Sequence, residues 1–274
     1  MDFIVNNEPT IRLTAFLGIF GLMALLEIWL PRRARSKIDG KQVKAGRWLS
    51  HGALTIVNSV VLRLIFPAAA VGTALKAETN GWGLFNIFDV PFIVAFAVSF
   101  LVLDFVIWLE HWASHKLPIL WRIHKMHHAD VDLDVTSALR FHPLEIILSM
   151  VWKAAIVVAL GAPVVVVLLF EVVLNGMAMF NHSNIKLPLA LDQIVRPFFV
   201  TPDMHRIHHS VHPTETDSNY GFNFAFWDRL FKTYTVDPKD GHEGMTIGLN
   251  EHQDRKPVNL LWNLVLPFLK IRKN

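Results

Sequence analysis

The sequence predicts an all-α integral membrane protein: a helical bundle of three spans plus a helical hairpin, with a histidine-rich region for two metal ions on its cytoplasmic side. Three observations lead there. Of 274 residues, 53% are hydrophobic, and the mean hydropathy of +0.37 is too high for an ordinary soluble domain. The apolar residues gather into runs near the ~20 that cross a bilayer. Eight of the fourteen histidines fall into three clusters with helical spacing.

The first span runs from about Thr10 to Leu30, and Pro31 ends it. No small-residue cleavage site follows, so no cleavable signal peptide is expected. Instead Arg32, Arg33, Arg35, Lys37, Lys41, Lys44 and Arg47 stand against a single Asp39, which by the positive-inside rule puts this loop in the cytoplasm and the N-terminus outside. Trp48 to Leu75 crosses back. Arg63 near its middle is costly there unless it snorkels, pairs or lines a polar cavity. Lys76 to Phe88, with Asn80-Gly81-Trp82-Gly83, suits a short outer loop anchored by an interfacial aromatic. Pro91 starts the third span, which runs to about Leu109 and delivers His111 to the cytoplasmic face.

From Pro143 to Phe180 the chain is apolar again, but Gly161-Ala162-Pro163 splits it into two short arms. A hairpin entering and leaving from the cytoplasmic side brings Asn181-His182-Ser183-Asn184 back to the other histidines. His142 and His182 each lie twenty residues from Ala162, and Lys153 and Glu171 each lie nine. Equidistant residues of antiparallel helices share a depth, and eleven residues are close to three turns, so both pairs should face across the hairpin. Lys153 and Glu171 are then expected to neutralise each other in the membrane, and His142 to meet His182 at the cytoplasmic mouth. After Pro188 the chain turns polar, with a turn-rich Asp217-Ser218-Asn219-Tyr220-Gly221. The tail from Val258 to Ile271, interrupted by Pro267 and ending in basic residues, reads as an interfacial helix. The whole chain, 1–274, is one membrane domain.

The histidines carry the chemistry. His111 and His115 are four apart; His124, His127 and His128 follow at i, i+3 and i+4, and His205, His208 and His209 repeat that spacing. Each cluster can aim its rings at one point, as neutral imidazoles do around transition metals. Eight are too many for one tetrahedral ion, so two ions are implied. The Glu-x-x-His motif of ferritin-like di-iron bundles is absent, and imidazole alone leaves iron, zinc, copper and nickel open. With no cysteine, the chain can form neither disulfides nor zinc-thiolate sites, haem-thiolate ligands or iron–sulfur clusters of its own. The net charge of +3 sits on residues flanking apolar spans, where topology and anionic headgroups account for it better than nucleic acid does. Asp104, two turns before His111 on the same side, either accepts the far N–H of a ligating imidazole or stays as a protonated or paired structural carboxyl. Metal-binding alternatives are a membrane di-zinc hydrolase and a metal transporter or sensor; the last would want ligands partway across the bilayer.

Together, H-x-x-x-H, H-x-x-H-H and a late H-x-x-H-H, spaced by a membrane hairpin and followed by N-Y-G and W-D-R-L-F-x-T-Y, resemble the fatty acid hydroxylase/sterol desaturase superfamily. The likeness covers roughly Leu101 to Tyr234, and the catalytic region is expected over 98–236. It implies a membrane non-haem di-iron oxygenase that uses O2 to hydroxylate or desaturate a lipid C–H bond. Carried onto this chain, the metal ligands are His111, His115, His124, His127, His128, His205, His208 and His209, with His182 added by position. His142 of Arg140-Phe141-His142-Pro143 is a further candidate, as a ligand or as a group behind one, and with Asp104 completes the expected catalytic set. Lys186 stands where fatty-acid 2-hydroxylases carry a second histidine after the one aligned with His182, which favours the sterol-desaturase-like branch. The resemblance also implies NAD(P)H-derived electrons, delivered by a separate reductase with a ferredoxin or b-type cytochrome. Lys125, Arg206 and Arg229 either dock such an acidic carrier or meet lipid phosphates. Short loops and no visible retention signal favour a bacterial inner membrane.

Overall fold

A computed structural model describes residues 2–38 and 40–269. Asp39 and residues 270–274, the end of the expected tail helix with its basic run, lie outside these. The described chain is mainly helical, with almost no strand. Helix α1 (Asp2–Trp29) is followed by a two-stranded antiparallel ribbon, β1 (Lys37–Ile38) and β2 (Lys41–Gln42). Next come α2 (Lys44–Ile65), α3 (Ala69–Thr79), the single turn α4 (Leu84–Ile87), α5 (Phe92–Lys116) and α6 (Pro118–His128). A 3-10 turn over Val135–Leu139 leads into α7 (Pro143–Leu160) and α8 (Val164–His182). The remainder is short helices joined by turns: α9 (Leu189–Val195), α10 (Pro202–His208), α11 (Pro213–Thr216), α12 (Phe226–Leu230), α13 (Gly241–Gly244) and α14 (Leu260–Val265).

Prolines place many of the helix starts. Pro91 precedes α5, Pro163 precedes α8, and Pro118, Pro143 and Pro202 occupy first turns, where a missing N–H costs nothing. Among the described residues, five stretches are long and apolar enough to cross a membrane: 7–29, 44–87, 92–116, 143–160 and 164–182. Their outward faces carry Leu13, Leu17, Leu49, Ile56, Ile93, Leu101 and Trp152, all largely exposed, as a lipid-facing surface requires. Inside, Ala70, Val71 and Ala74 of α3 meet Leu103 and Ile107 of α5, Met150 and Val157 of α7, and Val164, Val167 and Phe170 of α8. The alanines let the backbones approach closely.

The second crossing differs from expectation. It breaks at Phe66-Pro67 into α2 and α3, because proline cannot continue the helix. Arg63 lies exposed in the last turn of α2, beside this break. The hairpin forms as expected, with Gly161 in the left-handed region at φ 66°. A Cβ on Gly83 would fall 2.1 Å from the Gly161 nitrogen, so the loop after α3 rests directly on the hairpin tip. Lys153 Nζ lies 2.7 Å from Glu171 Oε1, the predicted neutral pair. Arg12 of α1 joins it, 2.7 Å from Glu171 Oε2.

The basic loop and His182 share one end of the bundle. The Arg32 N–H donates to the Asn184 carbonyl at 2.9 Å and the Lys186 N–H to the Leu30 carbonyl at 2.8 Å. At that end Arg47 is fully buried, 2.6 Å from Asp130 and 2.8 Å from Asp134. Against the burial that would raise them, Arg47 holds both carboxyls well below the usual carboxylate range. This clamp fixes the strand of chain beneath α6. The tail is not one helix lying free at the interface: it breaks into short helical turns that bury Asn263, Leu266 and Pro267, leaving Leu261 and Phe268 exposed. Pro267 gives its carbonyl to Arg122, and Asn263 its side-chain oxygen to Arg140 at 2.8 Å.

Candidate metal centre

Leu117-Pro118 breaks the chain between α5 and α6, so the histidine faces of the two helices turn toward each other. Thr201 caps α10, its hydroxyl accepting the Met204 N–H at 3.4 Å, and brings a third histidine face in from the polar side. Helix α8 ends on His182 in the same space. The nine histidines expected as ligands assemble into two groups, each with potential ligand atoms within 4.8 Å of one another: His111, His115, His124, His128 and His208, and then His127, His182, His205 and His209. All except His115 are buried, and His115 is only partly exposed.

The clusters do not aim at one point each, as expected; each H-x-x-H-H divides between two. Positions i and i+4 of the motif on α6, His124 and His128, serve the first group while i+3, His127, serves the second. Along α10 the allocation reverses, His205 and His209 serving the second group and His208 the first. Adjacent residues on a helix diverge by about 100°, so a consecutive pair reaches two centres. Helices α6 and α10 thus hold the groups side by side.

Hydrogen bonds fix the rings. His127 Nδ1 donates to the Arg140 carbonyl at 3.1 Å and His182 Nδ1 to the Ala178 carbonyl at 2.7 Å. Since a carbonyl can only accept, both Nδ1 atoms carry the proton and both Nε2 atoms carry a lone pair. Yet these Nε2 atoms lie 3.1 Å apart, and His205 Nε2 lies 3.1 Å from that of His182. Burial pushes His127 well below the usual histidine range, so a second proton does not relieve the facing lone pairs of His127 and His182. Lone pairs converging in a buried space fit a bound cation. In the first group, His111 and His208 donate Nδ1–H to the carbonyls of Tyr220 and Ser218, each at 2.7 Å, leaving buried Nε2 atoms without partners. Burial lowers His208 to about 3.

The motifs after the last cluster hold those carbonyls in place. Asp228 accepts the backbone N–H groups of Tyr220 and Gly221, each at 2.9 Å, and the Trp108 indole N–H at 3.1 Å. Asn219, at φ 53°, donates to the carbonyls of Met204 and Thr235, each at 3.0 Å. The N-Y-G turn is therefore tied both to α10 and to α12.

Two expected residues lie elsewhere. Asp104 does not reach a ring of either group: seven residues at ~1.5 Å rise leave it about 10 Å along the axis from His111, and its Oδ2 accepts the Trp227 indole N–H at 2.7 Å. Nor does His142 join His182. It precedes α7 as the N-cap in extended conformation, so the helical register that aligns Lys153 with Glu171 stops one residue short. Its Nδ1 accepts the Leu144 N–H at 3.1 Å, and its Nε2 lies 3.2 Å from the Leu264 carbonyl. Asp217 Oδ1 lies 3.4 Å from His115 Nδ1, and the carboxylate hydrogen-bonded to a clustered ring is Glu145, whose Oε1 accepts from His124 Nδ1 at 2.5 Å. It stands three residues after His142 in the segment already marked by Arg140-Phe141-His142-Pro143. Of the proposed docking cations, Lys125 is 3% exposed and Arg206 0%, the latter paired with Asp203, so neither presents its charge to a partner. Arg229 stacks on Tyr234 at 4.0 Å.

A cavity of about 300 Å³ adjoins the first group, with His111 and His124 in its wall. It reaches between the membrane helices to Phe16, Leu62, Lys153 and Leu174.

Comparison with known proteins places the chain in a family. The family model described as fatty acid hydroxylase matches residues 96–233. The chain is 27% identical to an ornithine lipid hydroxylase of Rhizobium tropici over 82% of this chain and 67% of that one. It is 24% identical to human alkylglycerol monooxygenase, over 85% of this chain, and spans only half the length of that relative. It is 30% identical to a cholesterol 25-hydroxylase-like protein of Danio rerio, over 85% of this chain and 95% of that one. No solved structure matches the chain.

Proposed function

The chain belongs to the fatty acid hydroxylase family, and from that premise we propose that it is a multi-pass membrane oxygenase that inserts oxygen into a C–H bond of a lipid. The single observation that carries the reading is the gathering of nine histidines into two adjoining groups of five and four, in which bonds to carbonyls leave the Nε2 atoms of His111, His127, His182 and His208 with free lone pairs. Those nine residues would hold two iron ions, and the irons would supply activation of O2. The balance needs two electrons and two protons: a C–H bond and O2 give a C–OH and water. The chain has no cysteine and no dinucleotide fingerprint, so the electrons come from NAD(P)H through a separate ferredoxin or b-type cytochrome.

The protein's own share is placement and exclusion. Backbone carbonyls hold His111, His127, His182 and His208 each in one tautomer, Asp228 holds the Tyr220 carbonyl, and the membrane helices line the cavity beside His111. The basic loop lies at the histidine end of the bundle, which favours a cytoplasmic site in a bacterial inner membrane. The relatives are named as hydroxylases or monooxygenases, so a di-zinc hydrolase or a transporter gains no support.

The test is isotope incorporation. Purified protein loaded with ferrous iron, given membrane lipids, a ferredoxin–reductase pair and 18O2, is expected to yield lipids heavier by one 18O atom. Products labelled from 18O-water, or activity with zinc and no O2, would refute the oxygenase.

A further inference from the structure

The cavity beside His111 and His124 is an unusual place for hydrocarbon. Helices α2, α5, α7 and α8 each turn one face to it, and Asn58, Glu110, Glu145 and Ser149 lie in its wall among the apolar residues. Their hydrogen bonding is incomplete in one direction only. Asn58 donates its Nδ2 to the Phe141 carbonyl at 2.9 Å, which fixes the amide's orientation and leaves Oδ1 buried with no partner among the described residues. Glu145 gives Oε1 to His124 and leaves Oε2 buried in the same condition. Glu110 accepts from Ser149 at 3.1 Å. The unmet groups are all acceptors. A plain alkyl chain would leave them unmet, which is costly. A phosphate or carboxylate would set further acceptors against two carboxyl groups. Lys153, the only Lys or Arg among the described lining residues, is committed to Glu171 at 2.7 Å.

Resting on the reading of the chain as a lipid oxygenase, we propose that this cavity seats a hydrogen-bond-donating group of the substrate, a hydroxyl or an N–H, on Asn58 and Glu145. The substrate class is then a lipid bearing that donor within a few bonds of the oxidised carbon, not an acyl or alkyl chain entering tail-first and not an anionic headgroup. Phe16, Leu62, Ile107 and Leu174 take the hydrocarbon that follows.

Binding separates these possibilities without turnover. The probe is tritiated 1-dodecanol on the full-length, iron-loaded protein in nanodiscs of zwitterionic lipid. Unlabelled 1-dodecanol is expected to displace it at least about tenfold better than methyl dodecyl ether, which keeps the oxygen but cannot donate, and dodecanoate to compete no better than the ether. Asn58→Leu is expected to bring alcohol and ether within about twofold of each other, while leaving the iron content at the wild-type level. If that variant does not fold, the wild-type panel still decides. No saturable binding of 1-dodecanol, or equal displacement by alcohol and ether, overturns the inference. Oxidation of added lipids with alcohol and ether bound alike would leave the oxygenase reading standing and remove the inference. Donor selectivity with iron bound but no lipid oxidised would do the reverse.

Discussion

At the scale of single residues, the clustering of the histidines was legible and the groups that support them were not. Spacing alone marks His111 to His128 and His205 to His209, because i, i+3 and i+4 fix a helical face. Three of those rings, His111, His127 and His208, rest on backbone carbonyls, which no side-chain pattern announces, and the approach of Glu145 to His124 is set by tertiary packing. Glu145 is the residue to test. Glu145→Ala is expected to weaken metal binding by roughly 10–100-fold, with Glu145→Gln, which keeps an acceptor oxygen, in between; metal titration measures it, and unchanged affinity in both would remove the role. A second residue concerns acid stability. Burial, reinforced by Arg206, Arg32 and Arg196 and only partly offset by Asp203, lowers His242 to about 4. Its neutral form is favoured by folding, so its contribution is complete above the unfolded value near 6.5 and is lost as pH falls toward 4. His242→Gln should therefore flatten the fall in melting temperature between pH 6.5 and 4; an unchanged acid limb would contradict this.

At the scale of elements, the hairpin shows how far a symmetry argument reaches. Counting from Ala162 places Lys153 opposite Glu171 because both sit inside regular helix. The same count fails for His142, which lies outside the helix as its cap. Arg12 was invisible to it, since nothing in the hairpin's sequence says which helix packs behind Glu171. The three-residue network predicts an order of damage. Glu171→Leu strands Lys153 without its carboxylate and should cost about 3 kcal/mol or more. Lys153→Leu leaves Glu171 with Arg12 and should cost less than half as much. Unfolding in mixed micelles compares them; equal losses would mean that Arg12 contributes nothing. The break at Pro67 belongs to the same scale. A proline in an apolar run was readable as a break, but the run's length argued for one continuous span.

At the scale of the whole molecule, hydropathy and the histidine spacing settled the class of protein, while the division of the nine histidines between two centres needed the fold. That division depends on α6 and α10 facing one another, a long-range relation absent from either sequence segment. The orientation of the molecule is testable because the chain has no cysteine. Lys37→Cys, in the basic loop, should react with a membrane-impermeant maleimide only after the cells are opened, and Glu78→Cys, in the last turn of α3, in intact cells; the opposite pattern would invert the topology. The central claim, that two adjoining groups of histidines hold two irons, is tested most directly by counting metal in protein expressed with iron and purified without chelators. The account predicts two irons per chain, and one when His127, His205 and His209 are replaced together by alanine. A single ion in the wild type, or zinc in place of iron, would contradict it.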